Sequence, residues 1–124
     1  MIRAIGTDVV ELGHFTDVVE RSREGFIRRL FTPREIEYCE EFKDRMASYA
    51  AVFAAKEAFL KALRTGLAPG IRWTDVEVIH ERSGAPSILA HGLCAEILCD
   101  GVCHVSLTHS RRTAAAVVVI EDRP

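Results

Sequence analysis

An acid and a base stand one helical turn apart in the run Ala54-Ala55-Lys56-Glu57-Ala58-Phe59-Leu60-Lys61-Ala62. The run is rich in alanine and other good helix formers and holds no glycine or proline, so it reads as helix interior. Residues 50, 54, 57 and 61 share one face, because spacings of three and four bring helical side chains over one another. That face carries Ala50, Ala54, Glu57 and Lys61. Its small residues let another backbone or a ligand come close. A carboxylate and an ammonium group beside them can hold a metal ion and a phosphate together. Taken alone, the same pair also reads as an ordinary surface ion pair, worth about 0.3–0.5 kcal/mol.

Other polar residues are set among apolar ones. Asp8 lies between Thr7 and Val9-Val10. His104, Ser106 and Thr108 alternate with Val105 and Leu107, so on a strand all three point to one face. Each has an ordinary reading. Asp8 can bond backbone amides at a strand bend, His104 can be a satisfied half-exposed histidine, and Ser106 and Thr108 can line the solvent side.

The elements that must carry these residues are legible. Residues 2–12 read as a strand interrupted by Gly6, a bulge or a place of close approach. Residues 14–30 have helical spacing, with Gly25 dividing two short pieces. Thr32-Pro33-Arg34-Glu35 is a helix start: Thr32 caps, Pro33 suits the first helical position, and Glu35 follows the cap by three. That helix should run to about Phe42. A longer one covers about 46–63 and stops near Gly66, before Pro69-Gly70. Residues 74–80 alternate as a half-buried strand, Ser83-Gly84-Ala85-Pro86 turns the chain, and 87–89 form a short strand. A helix marked by Leu93, Ile97 and Leu98 ends at Asp100-Gly101. Residues 103–108 and 113–120 then form a hairpin turned at Ser110-Arg111-Arg112. The β-branched run Val117-Val118-Val119-Ile120 implies burial on both faces. The expected architecture is α+β in a single domain, 1–124, with an antiparallel sheet packed on a long central helix.

Composition narrows the classes. A chain of 124 residues, 48% hydrophobic and 27% charged, buries a real core and is not a disordered segment. A net charge of −2 supplies no global field for nucleic acid. No apolar run is long enough to span a bilayer, and Met1-Ile2-Arg3-Ala4 lacks the layout of a signal peptide, so a cytoplasmic protein is expected. Cys94, Cys99 and Cys103 lie close in sequence and Cys39 is remote. Their spacings do not fit the common zinc pattern, so buried or half-buried free thiols are expected.

Three ordered motifs resemble one family. Gly6-Thr7-Asp8-Val9-Val10-Glu11-Leu12 is similar to the opening motif of the holo-acyl-carrier-protein synthases, the small 4'-phosphopantetheinyl transferases. Phe53-Ala54-Ala55-Lys56-Glu57-Ala58 with Lys61-Ala62 resembles their central helix, and His104 to Ser110 with Ala114 to Glu121 resembles their C-terminal hairpin. Phe31 to Glu35 and Gly84-Ala85-Pro86 also match, so the resemblance covers nearly the whole chain.

The resemblance implies transfer of the phosphopantetheine arm of coenzyme A to a serine of apo acyl carrier protein, with adenosine 3',5'-bisphosphate as the other product. It implies a magnesium ion on the coenzyme A pyrophosphate, with Asp8 and Glu57 as its protein ligands. A hard cation of this kind takes one or two carboxylates plus phosphate and water. Lys61 would set its charge on the phosphate under attack. Glu57, through a bound water, is the preferred base for the serine, with Asp8 or a bound hydroxide as alternatives. His104, Ser106 or Thr108, and Pro86 fall near the coenzyme A site. Members are typically homotrimers with coenzyme A at subunit interfaces.

The sequence departs from the family at three places. Val52 occupies the position of an arginine expected to help bind coenzyme A phosphates. Arg64 replaces a glycine, and we expect it to supply a substitute charge near the ligand; Lys43 and Arg45 remain near another family basic cluster. His14 stands where relatives carry an arginine that meets the acidic carrier protein. Arg21, Arg23, Arg28 and Arg29 can still form a basic docking face, or simply a solvated one. A second class of function stays open on this reading: a non-catalytic homologue that binds coenzyme A or a carrier protein without transfer.

Overall fold

Thr32 and Glu35 close the helix start that their spacing requires. Thr32 Oγ1 accepts from the Glu35 N–H at 3.2 Å, and Glu35 Oε1 accepts from the Thr32 N–H at 2.8 Å. The computed structural model describes residues 1–124. In chain order the elements are β1 (Ile2–Glu11), α1 (Leu12–Arg21), α2 (Phe26–Leu30), α3 (Pro33–Glu40), α4 (Arg45–Ala62), β2 (Val76–His80), β3 (Pro86–Ala90), α5 (Gly92–Leu98), β4 (Val102–His109) and β5 (Thr113–Glu121).

The architecture is α+β, as the sequence implies. The helical stretch after β1 divides at Gly25, and the hairpin turns between His109 and Thr113. Two boundaries differ. α3 stops at Glu40, short of Phe42. Residues Trp73–Asp75 form a single 3-10 turn instead of the start of a strand, because the Asp75 carboxylate accepts the Arg72 N–H at 2.9 Å. Strand β2 therefore begins at Val76.

β1, β5 and β4 form one antiparallel sheet in that order, and β2 and β3 form a separate antiparallel pair. α4 lies across one face of the larger sheet. Its alanines make the contact close: Ala50, Ala54, Ala55 and Ala58 are fully buried. Gly6 on β1 meets this stripe directly. A Cβ there would overlap the Ala58 carbonyl oxygen and lie 2.8 Å from Ala62 N. Close approach, not a bulge, is the reason for glycine at this position; the only register irregularity of β1 lies between Ile2 and Ala4.

The other face of the sheet has no cover within the chain. Cross-strand pairs align Ile5–Val119–His104, Thr7–Val117–Ser106 and Val9–Ala115–Thr108 in three rows. Val9 is 69% exposed and Val117 37% exposed, whereas Val118 and Ile120 are fully buried. The β-branched run is thus buried on one face only, which corrects the expectation of burial on both. Strand pleating sends alternate side chains to opposite faces, and α4 covers only one of them. No helix is long and apolar enough to cross a membrane.

Candidate active site

Asp8 points from β1 to the α4 side of the sheet, where it meets the helix face that carries Glu57 and Lys61. The Lys61 Nζ donates to Asp8 Oδ1 at 2.9 Å and to the Thr7 carbonyl at 3.0 Å. No ion pair forms between Glu57 and Lys61, so the surface pair suggested by their spacing gives way to a cross-element one. Asp8 is 9% exposed, and its Oδ2 is buried without a hydrogen-bond partner.

Glu57 is half-buried beside it. Burial, then the negative charge of Asp8, pushes the Glu57 carboxyl up to about 7, and a protonated Glu57 can hydrogen-bond Asp8; Lys61 acts in the opposite sense. Lys61 is raised, chiefly by its bond to Asp8. Two carboxylates that crowd each other this way, one with an orphaned buried oxygen, suit a hard divalent cation. Asp8 and Glu57 would hold it; no cluster of three or more His, Cys, Asp or Glu exists to complete a cage. Further donors would have to come from phosphate and water.

Both carboxylates border a groove of about 470 Å³ whose apolar lining includes Val10, Phe15, Phe26, Leu30, Phe53 and Trp73. His14 lies on the same groove. Arg21, Arg23, Arg28 and Arg29 are exposed on the neighbouring α1–α2 segment, and none of them forms an ion pair.

The remaining sequence candidates lie elsewhere in the chain. His104, Ser106 and Thr108 share one face, as their alternation requires, but it is the uncovered face, across the sheet from Asp8. His104 Nε2 bonds Glu121 Oε1 at 2.8 Å. Pro86 and Val52 line a second cavity of about 230 Å³ with Tyr38, Ser48, His80 and His109. Arg45 pairs with Glu40 at 3.2 Å and faces a third, between the α1–α2 and α3–α4 segments. Arg64 borders a fourth, with Arg3, Ile97 and Ile120. Its φ of +65° is left-handed, which accounts for a glycine preference there. Within one chain, then, Asp8, Glu57 and Lys61 converge, and Arg45, Arg64, Pro86 and the His104 row do not join them.

Sequence reasoning missed Lys56 and Glu35. Both side chains are fully buried, and Lys56 Nζ lies 2.5 Å from Glu35 Oε1. The signal was present: the helical neighbours of Lys56 at three and four residues are Val52, Phe53, Phe59 and Leu60, a setting that demands a partner for a charge. The cysteines are all free, with Cys39 and Cys94 buried, Cys103 half-buried and Cys99, against expectation, exposed. Burial pushes the Cys39 thiol up to about 12 and those of Cys94 and Cys103 to about 11, far from a reactive thiolate at neutral pH.

Comparison with known proteins shows the family of the chain. Residues 4–118 match the family model of the 4'-phosphopantetheinyl transferase superfamily. A holo-[acyl-carrier-protein] synthase of Geobacter sp. (strain M21) is 41% identical, across 98% of this chain and 99% of its own. Among solved structures, a holo-(acyl-carrier-protein) synthase from Bacillus anthracis str. Ames in complex with CoA (3',5'-ADP) superposes with a TM-score of 0.84 at 30% identity, covering 99% of both chains. The Helicobacter pylori holo-[acyl-carrier-protein] synthase in complex with coenzyme A gives 0.84 at 30% identity, over 94% of this chain and 99% of that one. The chain belongs to the 4'-phosphopantetheinyl transferase superfamily, a family of enzymes. Its nearly full-length likeness is to the holo-[acyl-carrier-protein] synthases within it.

Proposed function

We propose that this protein transfers the 4'-phosphopantetheine arm of coenzyme A to a serine hydroxyl of apo acyl carrier protein, in the cytoplasm, and releases adenosine 3',5'-bisphosphate. The observation that carries the reading is the convergence of Asp8, Glu57 and Lys61, with the two acids bordering an apolar groove and the ammonium bonded to one of them. Phosphoryl transfer asks mainly for positioning and charge neutralisation. The Lys61 ammonium, bonded to Asp8, would meet the developing charge on the attacked phosphate. Asp8 and Glu57 would hold a magnesium ion, which when bound neutralises pyrophosphate charge. The serine oxygen forms a P–O bond as the bridging P–O bond of the pyrophosphate breaks. Glu57 takes the serine proton, through a water when its own oxygens are engaged. The groove and the α1–α2 arginines would receive the acidic carrier protein.

The uncovered sheet face supports a homotrimeric assembly. It presents Ile5, Val9 and Val117 to solvent beside His104, Ser106 and Thr108. Since the sheet stands between that row and Asp8, His104 can serve the carboxylate site only from a second copy. In the same assembly Pro86, Arg45 and Arg64 would approach coenzyme A bound at the Asp8–Glu57 site of a neighbour. The whole chain, 1–124, acts here as one domain.

Val52 favours a second reading. It is buried and apolar in the cavity with Pro86, where the family pattern has a cation, which suits a homologue that binds without transferring. One experiment separates the two. The protein is incubated with apo acyl carrier protein, coenzyme A and magnesium, and the carrier is weighed by mass spectrometry. A gain of one phosphopantetheine arm is the expected result. Binding with no gain would replace the transferase reading with the second one.

A further inference from the structure

The buried Lys56–Glu35 pair has no part in the reaction above, yet it touches both walls of the groove. Lys56 Nζ has three protons and three acceptors: Glu35 Oε1, the Leu30 carbonyl at 2.6 Å and the Trp73 carbonyl at 3.1 Å. Glu35 is equally committed. Its Oε1 also accepts the Thr32 N–H, and its Oε2 accepts the Val78 N–H at 2.8 Å. The network therefore joins the end of α2, the cap of α3, α4, the Trp73 turn and β2. Leu30 and Trp73 are the two residues of this network whose own side chains line the groove, and the residue after Lys56 is Glu57.

We propose that Lys56 is a positioning residue: by holding the Leu30 and Trp73 carbonyls with one buried ammonium group, it fixes the distance between the groove walls that flank Asp8 and Glu57. A buried ion pair is weak evidence for stability as such, because desolvation offsets its attraction. Here burial lowers Lys56 and raises Glu35 while their mutual attraction opposes both shifts. The Leu30 carbonyl at the end of α2, together with the Trp73 carbonyl, which takes the Val76 N–H as its other donor, explains why the charge is kept. Phe31, whose ring lies 5.3 Å below Nζ, and the Phe53 ring, 5.0 Å from Trp73, pack against the same tether.

The test uses the double variant Lys56→Met with Glu35→Gln, which removes both charges and keeps an acceptor for Thr32 or Val78. Trp73 is the only tryptophan, so its fluorescence reports the wall directly. The expected result is a cooperatively folded protein with Trp73 more open to acrylamide quenching. Its KM for apo carrier protein should be raised about tenfold and its kcat kept within about threefold, since loosened positioning is paid in binding geometry. A folded double variant with unaltered Trp73 quenching and unaltered KM would overturn the proposal. Should the variant not fold, hydrogen exchange in the unsubstituted protein decides. The Thr32 and Val78 amides should exchange only through global unfolding, and faster local exchange would overturn the tether. The kinetic arm rests on the transferase reading. Absence of transfer by the unsubstituted protein refutes that reading and leaves the Trp73 and exchange measurements to judge this one.

Discussion

The Lys61 ammonium bonds Asp8, on a strand 53 residues earlier, and not Glu57, the acid one turn before it on its own helix. Asp8 thereby has one oxygen neutralised and one left free, while Glu57 keeps its carboxyl beside Asp8 without a cation of its own. The division makes the two acids unequal before any ligand arrives.

Glu57→Gln should therefore separate folding from chemistry. The amide keeps the shape and removes the repulsion with Asp8, so the melting temperature should hold or rise. Transfer should fall by about a hundredfold or more, as loss of a charge acting on the transition state does. The mass assay with apo carrier protein reads the second quantity and calorimetry the first. Full activity in the variant would remove Glu57 from the site.

Arg64→Gly should raise stability by about 1 kcal/mol, because glycine adopts the left-handed backbone that an L side chain resists. Urea unfolding measures it. The same change should raise the KM for coenzyme A markedly if the Arg64 charge meets the ligand in the assembly. An unchanged KM would sink that role while leaving the backbone argument intact.

Gly6→Ala should be among the most damaging single changes in the chain. Its methyl group would collide with the Ala58 carbonyl, a backbone atom that cannot turn aside. Moving β1 off α4 costs about 3 kcal/mol or more and pulls Asp8 from Lys61. Equilibrium unfolding and the transfer assay should both register the loss.

Carrier-protein affinity should fall about tenfold between low and high salt, because surface arginines and an acidic partner attract through solvent that ions screen. Arg28→Ala with Arg29→Ala should flatten that dependence. Titration at a series of ionic strengths is the measurement, and salt-independent binding would count against the docking face.

The acid side of the stability profile should carry a His80 component. Its ring stacks on Tyr38 with centroids 3.7 Å apart, and burial holds its pKa below the ordinary 6.5. As pH falls below 6.5 the unfolded chain takes this proton first. The stability is whole above that value and is lost as pH falls through the folded-state value. His80→Phe keeps the stacking without titrating, so it should lose less stability on acidification.

Local chemistry made much of this fold readable. The Thr32–Glu35 capping box, the break at Gly25 and the alternation of β4 depend on neighbours in sequence, and each took the form its residues dictate. Asp8, Glu57 and Lys61 could be nominated because each is polar among apolar residues. Their pairing could not be read, because spacing favours Glu57–Lys61 and only the β1–α4 contact offers Asp8 to Lys61. Arg45 and Arg64 stand out only by family position, and within one chain they face other cavities. Lys56 was hidden in plain view, since its partner Glu35 already had a sufficient local reason to exist as the capping acid. The one-sided burial of Val117 to Ile120 depends on what covers a sheet, which no strand's own sequence records.

The sheet that separates His104 from Asp8 would have a genetic consequence in the proposed assembly. If copies assemble across the uncovered face as proposed, a chain lacking Asp8 and a chain lacking His104 would carry defects in different halves of a composite centre. Mixed together, the two inactive proteins would form some interfaces in which both halves are intact. Activity would then return by subunit exchange, in a proportion set by how the chains assort, and a damaged copy in a cell could be complemented by a differently damaged one.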